Sequence, residues 1–257
     1  MLSISLAAKQ MLLPTLLRSD VSKNILCLSG WGQKSDSLEV IFKESFFDPF
    51  FVSSFDYSTF GAPEDFFAAI KSQNLNPEIL IGWSLGGQLA LRLIEKQILA
   101  PKLLILLAPP FQMLKDERIH AGMSRATFTE FHKNFSQAPD KTLKQFSILT
   151  AMNDQNASGI ARNLDIRDQN FDQLKFWLEE LSRFSCFDMD FTNMPRTLFI
   201  HGAGDMIVHA SQAEYFKERI KNCRLEIFKN CGHAPHLNDV EHLRKLIAEE
   251  IDLLELV

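Results

Sequence analysis

The sequence predicts an α/β protein, a mostly parallel central sheet flanked by helices, with a helical lid inserted into it. Three observations carry this. Short apolar runs alternate with amphipathic segments from 25 to 108, and the same alternation returns from 197 to 255. Most of the runs are apolar on both faces, as strands buried in a parallel sheet must be. Between the two stretches, 111–184 shows aromatic and aliphatic residues at helical spacing and no strand-like run.

The residues before 25 are expected to supply one or two edge strands. Strands follow at 25–29, 51–55, 79–82 and 103–108, separated by helices over 37–46, 63–73 and 84–96. Pro109-Pro110 then interrupts both helix and ladder and opens the insertion, in which Phe128, Phe131, Phe135, Leu143, Phe146, Leu149, Phe176 and Leu181 mark apolar helix faces. Met194-Pro195 precedes a strand at 197–201, and a helix at 211–221 leads to a strand at 225–228. In the last helix, 240–254, Val240, Leu243, Ile247, Ile251 and Leu254 follow helical spacing behind an Asp239 cap. The predicted organisation is a core made of 1–110 and 185–257, with 111–184 as the lid.

Composition narrows the function classes. At 257 residues with 46% hydrophobic and 23% charged, the chain can bury a large core without help from disulfides or metal. Its 27 Lys and Arg against 32 Asp and Glu give a net charge of −5, which disfavours nonspecific nucleic-acid binding. Cys27, Cys186, Cys223 and Cys231 form no CxxC pair and read as reduced thiols of a cytoplasmic chain. No apolar run approaches the ~20 residues that span a bilayer. The N-terminal MLSISLAAKQMLLPTLLRSD is broken by Lys9 and Gln10 and lacks a cleavage site, so it is expected to remain in the mature chain. A monomer with no membrane or nucleic-acid partner is expected.

The chemistry is carried by Gly82-Trp83-Ser84-Leu85-Gly86, a GxSxG set between a strand and a helix. A serine in such a sharp turn is strained, needs small neighbours, and projects its hydroxyl from the sheet as a nucleophile. Asp205, in His201-Gly202-Ala203-Gly204-Asp205, and His233, in Cys231-Gly232-His233, follow in the order nucleophile, acid, histidine, each just past a strand. Neutral His233 would accept the Ser84 proton while Asp205 fixes the imidazole tautomer. Asp188 or Asp190 would be the alternative acid and His236 the competing base. The Leu85 N–H and the Trp31 N–H, the latter in Ser29-Gly30-Trp31-Gly32, are candidate oxyanion donors, and the Trp31 indole would either wall the acyl pocket or sit in the core. Cys223, Cys231, His233 and His236 match no common zinc spacing, so no metal site is expected.

These motifs resemble the α/β-hydrolase family, and within it the pimeloyl-acyl-carrier-protein methyl ester esterases of biotin synthesis. The resemblance spans nearly the whole chain and rests on Gly30-Trp31-Gly32, the run GWSLGG from Gly82 to Gly87, His233-Ala234-Pro235 and the insertion between Pro110 and Arg183. It implies a serine carboxylic-ester hydrolase with Ser84, Asp205 and His233 as triad, Trp31 and Leu85 at the oxyanion site, and no cofactor. It also implies substrate contact by Trp31 and Phe146, and contact of Lys141, Lys144 and Arg162 with an acyl-carrier protein. Two departures concern pocket shape: Ser29 stands where the family usually has histidine, and its glycine-rich turn is reduced to Asp56-Tyr57-Ser58-Thr59-Phe60-Gly61. A generalist short-chain carboxylesterase, a carbon–carbon bond hydrolase, and a noncatalytic binding protein of the same fold are the alternatives.

Overall fold

The computed structural model describes residues 23–164 and 170–256. The edge strands expected ahead of residue 25, and the N-terminal apolar stretch, lie outside the described residues. Among the described residues six parallel strands form one sheet: β1 (Lys23–Leu28), β2 (Phe50–Ser54), β3 (Ile79–Trp83), β4 (Leu103–Leu107), β5 (Arg196–Gly202) and β6 (Cys223–Phe228). Their spatial order is β2-β1-β3-β4-β5-β6. The chain leaves β1 for the edge at β2 and returns to β3 on the opposite side. The β1/β3 boundary is therefore a topological switch point, where the loops beyond the two strands splay apart and leave a crevice.

Side chains alternate between two cores, because successive strand residues point to opposite faces. Leu26, Leu28, Leu80, Leu104, Leu106 and Phe199 pack on one face with helices α1 (Pro63–Ser72) and α2 (Leu85–Glu95). Ile25, Cys27, Ile79, Ile81, Leu103 and Ile105 pack on the other with Leu243, Ile247 and Ile251 of a C-terminal helix. Each such aliphatic side chain taken fully out of water contributes about 1.5–3 kcal/mol.

Between β4 and β5, which are neighbours in the sheet, the chain inserts α3 (Arg125–Gln137), α4 (Pro139–Thr150), α5 (Ala157–Asn163) and α6 (Phe171–Arg183). Ser124, Asn156 and Asn170 cap α3, α5 and α6 by accepting a backbone N–H three residues on. Helix α6 is bolted to the core. The Trp177 indole donates to the Phe60 carbonyl at 3.0 Å, and the Trp31 indole to the Leu174 carbonyl at 2.7 Å. The Arg92 guanidinium lies over the Phe67 and Phe184 rings and 3.7 Å from Glu180. The remaining helices are α7 (Gln212–Arg219), the single turn α8 (Pro235–Asn238) and α9 (Val240–Leu253), the last capped by Asp239 as expected.

One element differs in kind, beyond small shifts of strand ends. The α-helix expected over 37–46 is two 3₁₀ helices, Ser35–Phe42 and Ser45–Phe47. Leu38 and Ile41, three residues apart, are its fully buried side chains, and that spacing suits three residues per turn as well as 3.6. No helix among the described residues is long and apolar enough to cross a membrane.

Candidate active site

Strand β3 runs directly into Ser84, whose backbone at φ 53° and ψ −118° lies outside the regions favoured by L-residues. Such a conformation costs about 1–3 kcal/mol and persists only where the surroundings over-determine it. Here the Ser84 N–H donates to the Leu107 carbonyl at 2.9 Å, and α2 begins at the next residue. The glycines are required by space. A Cβ on Gly82 would lie 2.6 Å from the Gly86 oxygen, and one on Gly86 would collide with the Leu28 carbonyl at the end of β1. Ser84 therefore sits at the β1/β3 switch point because only glycine lets the turn press against β1.

His233, on the loop beyond β6, and Asp205, on the loop beyond β5, converge on it. The His233 Nδ1 lies 2.6 Å from Asp205 Oδ2, and its Nε2 lies 2.9 Å from Ser84 Oγ. All three residues are buried. An ionised carboxylate can only accept, so Nδ1 carries the imidazole proton and Nε2 presents a lone pair to the Ser84 hydroxyl. Asp205 Oδ1 is held by the backbone N–H groups of Ile207 and Val208 at 2.8 and 2.9 Å. Burial by itself would raise the Asp205 carboxyl, but His233 beside it and the donors of His201 and His233 outweigh burial and hold it well below the usual carboxylate range.

His201 is a contributor that the sequence reading placed only at the end of a strand. Its Nε2 lies 3.1 Å from Asp205 Oδ2 and 2.9 Å from the Val208 carbonyl. A carbonyl only accepts, so Nε2 bears the proton and Asp205 is held between two histidines. A histidine four residues before the acid, at the end of the same strand, is the signal that could have revealed it.

The alternatives fall elsewhere. Asp188 is exposed and paired with Arg118 at 3.2 Å, while Asp190 is exposed and bonds to Thr192. His236 is fully buried edge-on to Trp83, ring centroids 4.5 Å apart, and neither of its nitrogens has a hydrogen-bond partner among the described residues. Burial, assisted by His233, lowers its pKa to about 3. An unfolded chain protonates this histidine near 6.5, so between about pH 6.5 and 3 protons favour unfolding and up to about 1.4 kcal/mol is lost per pH unit of acidification. His236→Phe is expected to flatten the acid side of a urea-stability profile over that window. An unchanged slope would show that another group controls it.

The pocket in front of Ser84 is lined otherwise by apolar and aromatic side chains, among them Trp31, Phe131, Phe146, Leu149 and Met113. Trp31 is at once buried and pocket-lining, with its ring edge-on to Phe131, Phe135 and Phe146 at 5.1–5.8 Å. Leu85 opens α2, where a backbone N–H has no intrahelical acceptor. Lys141 and Lys144 are exposed on α4, and Arg162 is exposed on α5. No cluster of three or more metal-ligating side chains occurs among the described residues.

The fold agrees with the relatives of the chain. A pimeloyl-[acyl-carrier protein] methyl ester esterase of Aromatoleum aromaticum is 31% identical over 184 residues, covering 67% of this chain and 73% of that protein. A protein of the same name from Nitrosomonas europaea is 26% identical over 231 residues, covering 84% and 90%. Among solved structures, the esterase EaEST from Exiguobacterium antarcticum matches with a TM-score of 0.76 at 18% identity, over 90% of this chain and 92% of that one. At that identity the likeness speaks for the fold. The model of the alpha/beta hydrolase family matches residues 10–244, and the chain belongs to that family.

Proposed function

We propose that the protein is a serine carboxylic-ester hydrolase that demethylates a pimeloyl-acyl-carrier-protein methyl ester in biotin synthesis, with Ser84, His233 and Asp205 as its triad. The observation that carries the reaction type is the continuous hydrogen-bonded line from Ser84 Oγ through His233 to Asp205 in a buried site. The substrate class is supported by the two relatives of that name.

In the first half-reaction Ser84 Oγ attacks the ester carbonyl and its proton passes to His233 Nε2. The N–H groups of Leu85 and Trp31 receive the oxyanion, a donor of this kind being worth about 2.7–4 kcal/mol of barrier. The tetrahedral species collapses as its bond to the methoxy oxygen breaks, and His233 returns the proton to the departing methanol. Water then gives a proton to His233 and attacks the acyl-serine carbonyl, and as the acyl–oxygen bond breaks His233 returns that proton to Ser84 Oγ and the acid is released. Helices α3 to α6 act as the lid, with Trp31 and Phe146 against the acyl chain.

Hydrolysis of one methyl ester, presented free and on acyl-carrier protein, tests the assignment. Preference for the carrier-bound form supports it; equal rates favour a generalist esterase, which the apolar pocket would also suit; no hydrolysis and no labelling by a fluorophosphonate would leave a binding protein. From Arg118 to Arg162 there are six basic residues against three acidic ones in a chain of net charge −5, and the exposed Lys141, Lys144 and Arg162 of this stretch are assigned to the acidic carrier. Changing Lys141, Lys144 and Arg162 together to alanine is expected to raise KM for the carrier-bound ester several-fold. Added salt should mimic the change in the wild type, since electrostatics acts chiefly on encounter. Hydrolysis of the free ester should stay constant, and an equal loss on both substrates would indicate a damaged lid.

A further inference from the structure

The lid does more than cover the pocket, because its α4–α5 turn grips both loops that deliver the acid and the base. The last residue of α4 offers its carbonyl to the His233 N–H, Thr150 O accepting at 2.9 Å. Asn153, in the left-handed conformation at φ 69°, donates from Nδ2 to the Gly204 carbonyl beside Asp205 at 2.8 Å. Asp154 accepts the Gly232 N–H on Oδ2 at 3.0 Å and the Asn238 amide on Oδ1. Asn238 in turn donates to the Asn230 carbonyl at 3.0 Å, while the Gly204 N–H holds the Cys231 carbonyl at 2.9 Å. The fit leaves no slack. A Cβ on Gly232 would lie 2.6 Å from the Met152 oxygen and 2.8 Å from Asp154 Oδ2.

Among the residues that the α4–α5 turn contributes to this clamp, Asp154 is the one ionisable group. By composition it counts among the lid's acidic surface charges, yet it is only 9% exposed. Burial, opposed by the Asn238 and Gly232 donors and reinforced by nearby Asp205, raises its carboxyl above the ordinary value. Both of its oxygens accept a hydrogen bond, a pair of acceptors that an amide of the same shape cannot supply.

We propose that Asp154 is a positioning residue for His233, its carboxylate holding Gly232 and, through Asn238, the rest of the 230–233 loop so that the imidazole meets Ser84. Asp154 touches neither Ser84 nor the pocket, so it acts on the chemical step and leaves substrate binding alone. The assignment rests on the proposed hydrolase reading.

The test compares wild type, Asp154→Asn and Asp154→Ala on a free methyl ester, with near-UV circular dichroism confirming that each is folded. The expected result is a graded fall in kcat at constant KM. The alanine variant should lie about ten- to a hundredfold below wild type, a loss of the size that an ångström of misplacement produces. The asparagine variant should lie between them, because its amide oxygen can accept from Gly232 while its NH₂ opposes the Asn238 donor. If the alanine variant does not fold, a threefold or greater fall in kcat for Asp154→Asn at unchanged KM sustains the proposal. Equal kcat in folded variants and wild type would overturn it, as would a change confined to KM. An inactive wild type would instead remove the hydrolase reading on which it stands.

Discussion

Ser84→Ala is expected to lower turnover of a methyl ester by about four to six powers of ten, and His233→Ala by a comparable factor, since triad members act as one unit. The size follows from the geometry. Ser84 Oγ and His233 Nε2 are already at hydrogen-bond distance, 2.9 Å, so the proton has a direct route to the imidazole. His236, the other histidine on the same loop, is turned into the core against Trp83. Both variants should remain folded, because alanine at position 84 leaves the turn and its glycines as they are. Steady-state kinetics with active-site titration measures the effect, and near-wild-type turnover of His233→Ala would overturn the assignment of the base.

Asp205→Asn is expected to cost about four powers of ten in kcat although it removes no atom of bulk. The two backbone donors at Asp205 Oδ1, from Ile207 and Val208, dictate how an amide would sit. They require an acceptor, so the amide oxygen must take their place and its NH₂ must turn toward His233 and His201. His233 would then accept at Nδ1 and carry its proton on Nε2, facing Ser84 with a donor where an acceptor is needed. His201 Nε2, which donates to the Val208 carbonyl, would oppose the same NH₂. The variant should therefore lose thermal stability as well as rate. A kcat within tenfold of wild type, with chemistry limiting, would show that another group orients the imidazole.

Much of this was legible in the chain. Strands buried on both faces must be continuous apolar runs, so β1, β3 and β4 stand out from their composition. β6 was read two residues short, at 225–228, because Arg224 interrupts the apolar run between Cys223 and Leu225. Ser84 announces itself through its glycines, since the turn that strains it cannot form without them. The 3₁₀ segment was read as an α-helix because two turns are too short for the two periods to separate. His201 and Asp154 left little trace. Their roles depend on contacts made only after folding, and the Asp154 bond to Gly232 spans 78 positions that no local pattern links.

The strand order carries a consequence for the protein's life before it is complete. Ser84 follows β3 and His233 lies on the loop beyond β6, so a ribosome finishes the serine long before the histidine exists. Until β5 has paired with β4 and β6 with β5, Ser84 has no His233 beside it to take its proton in the proposed reaction. In the proposed triad the two partners meet only once the last strand has joined the sheet.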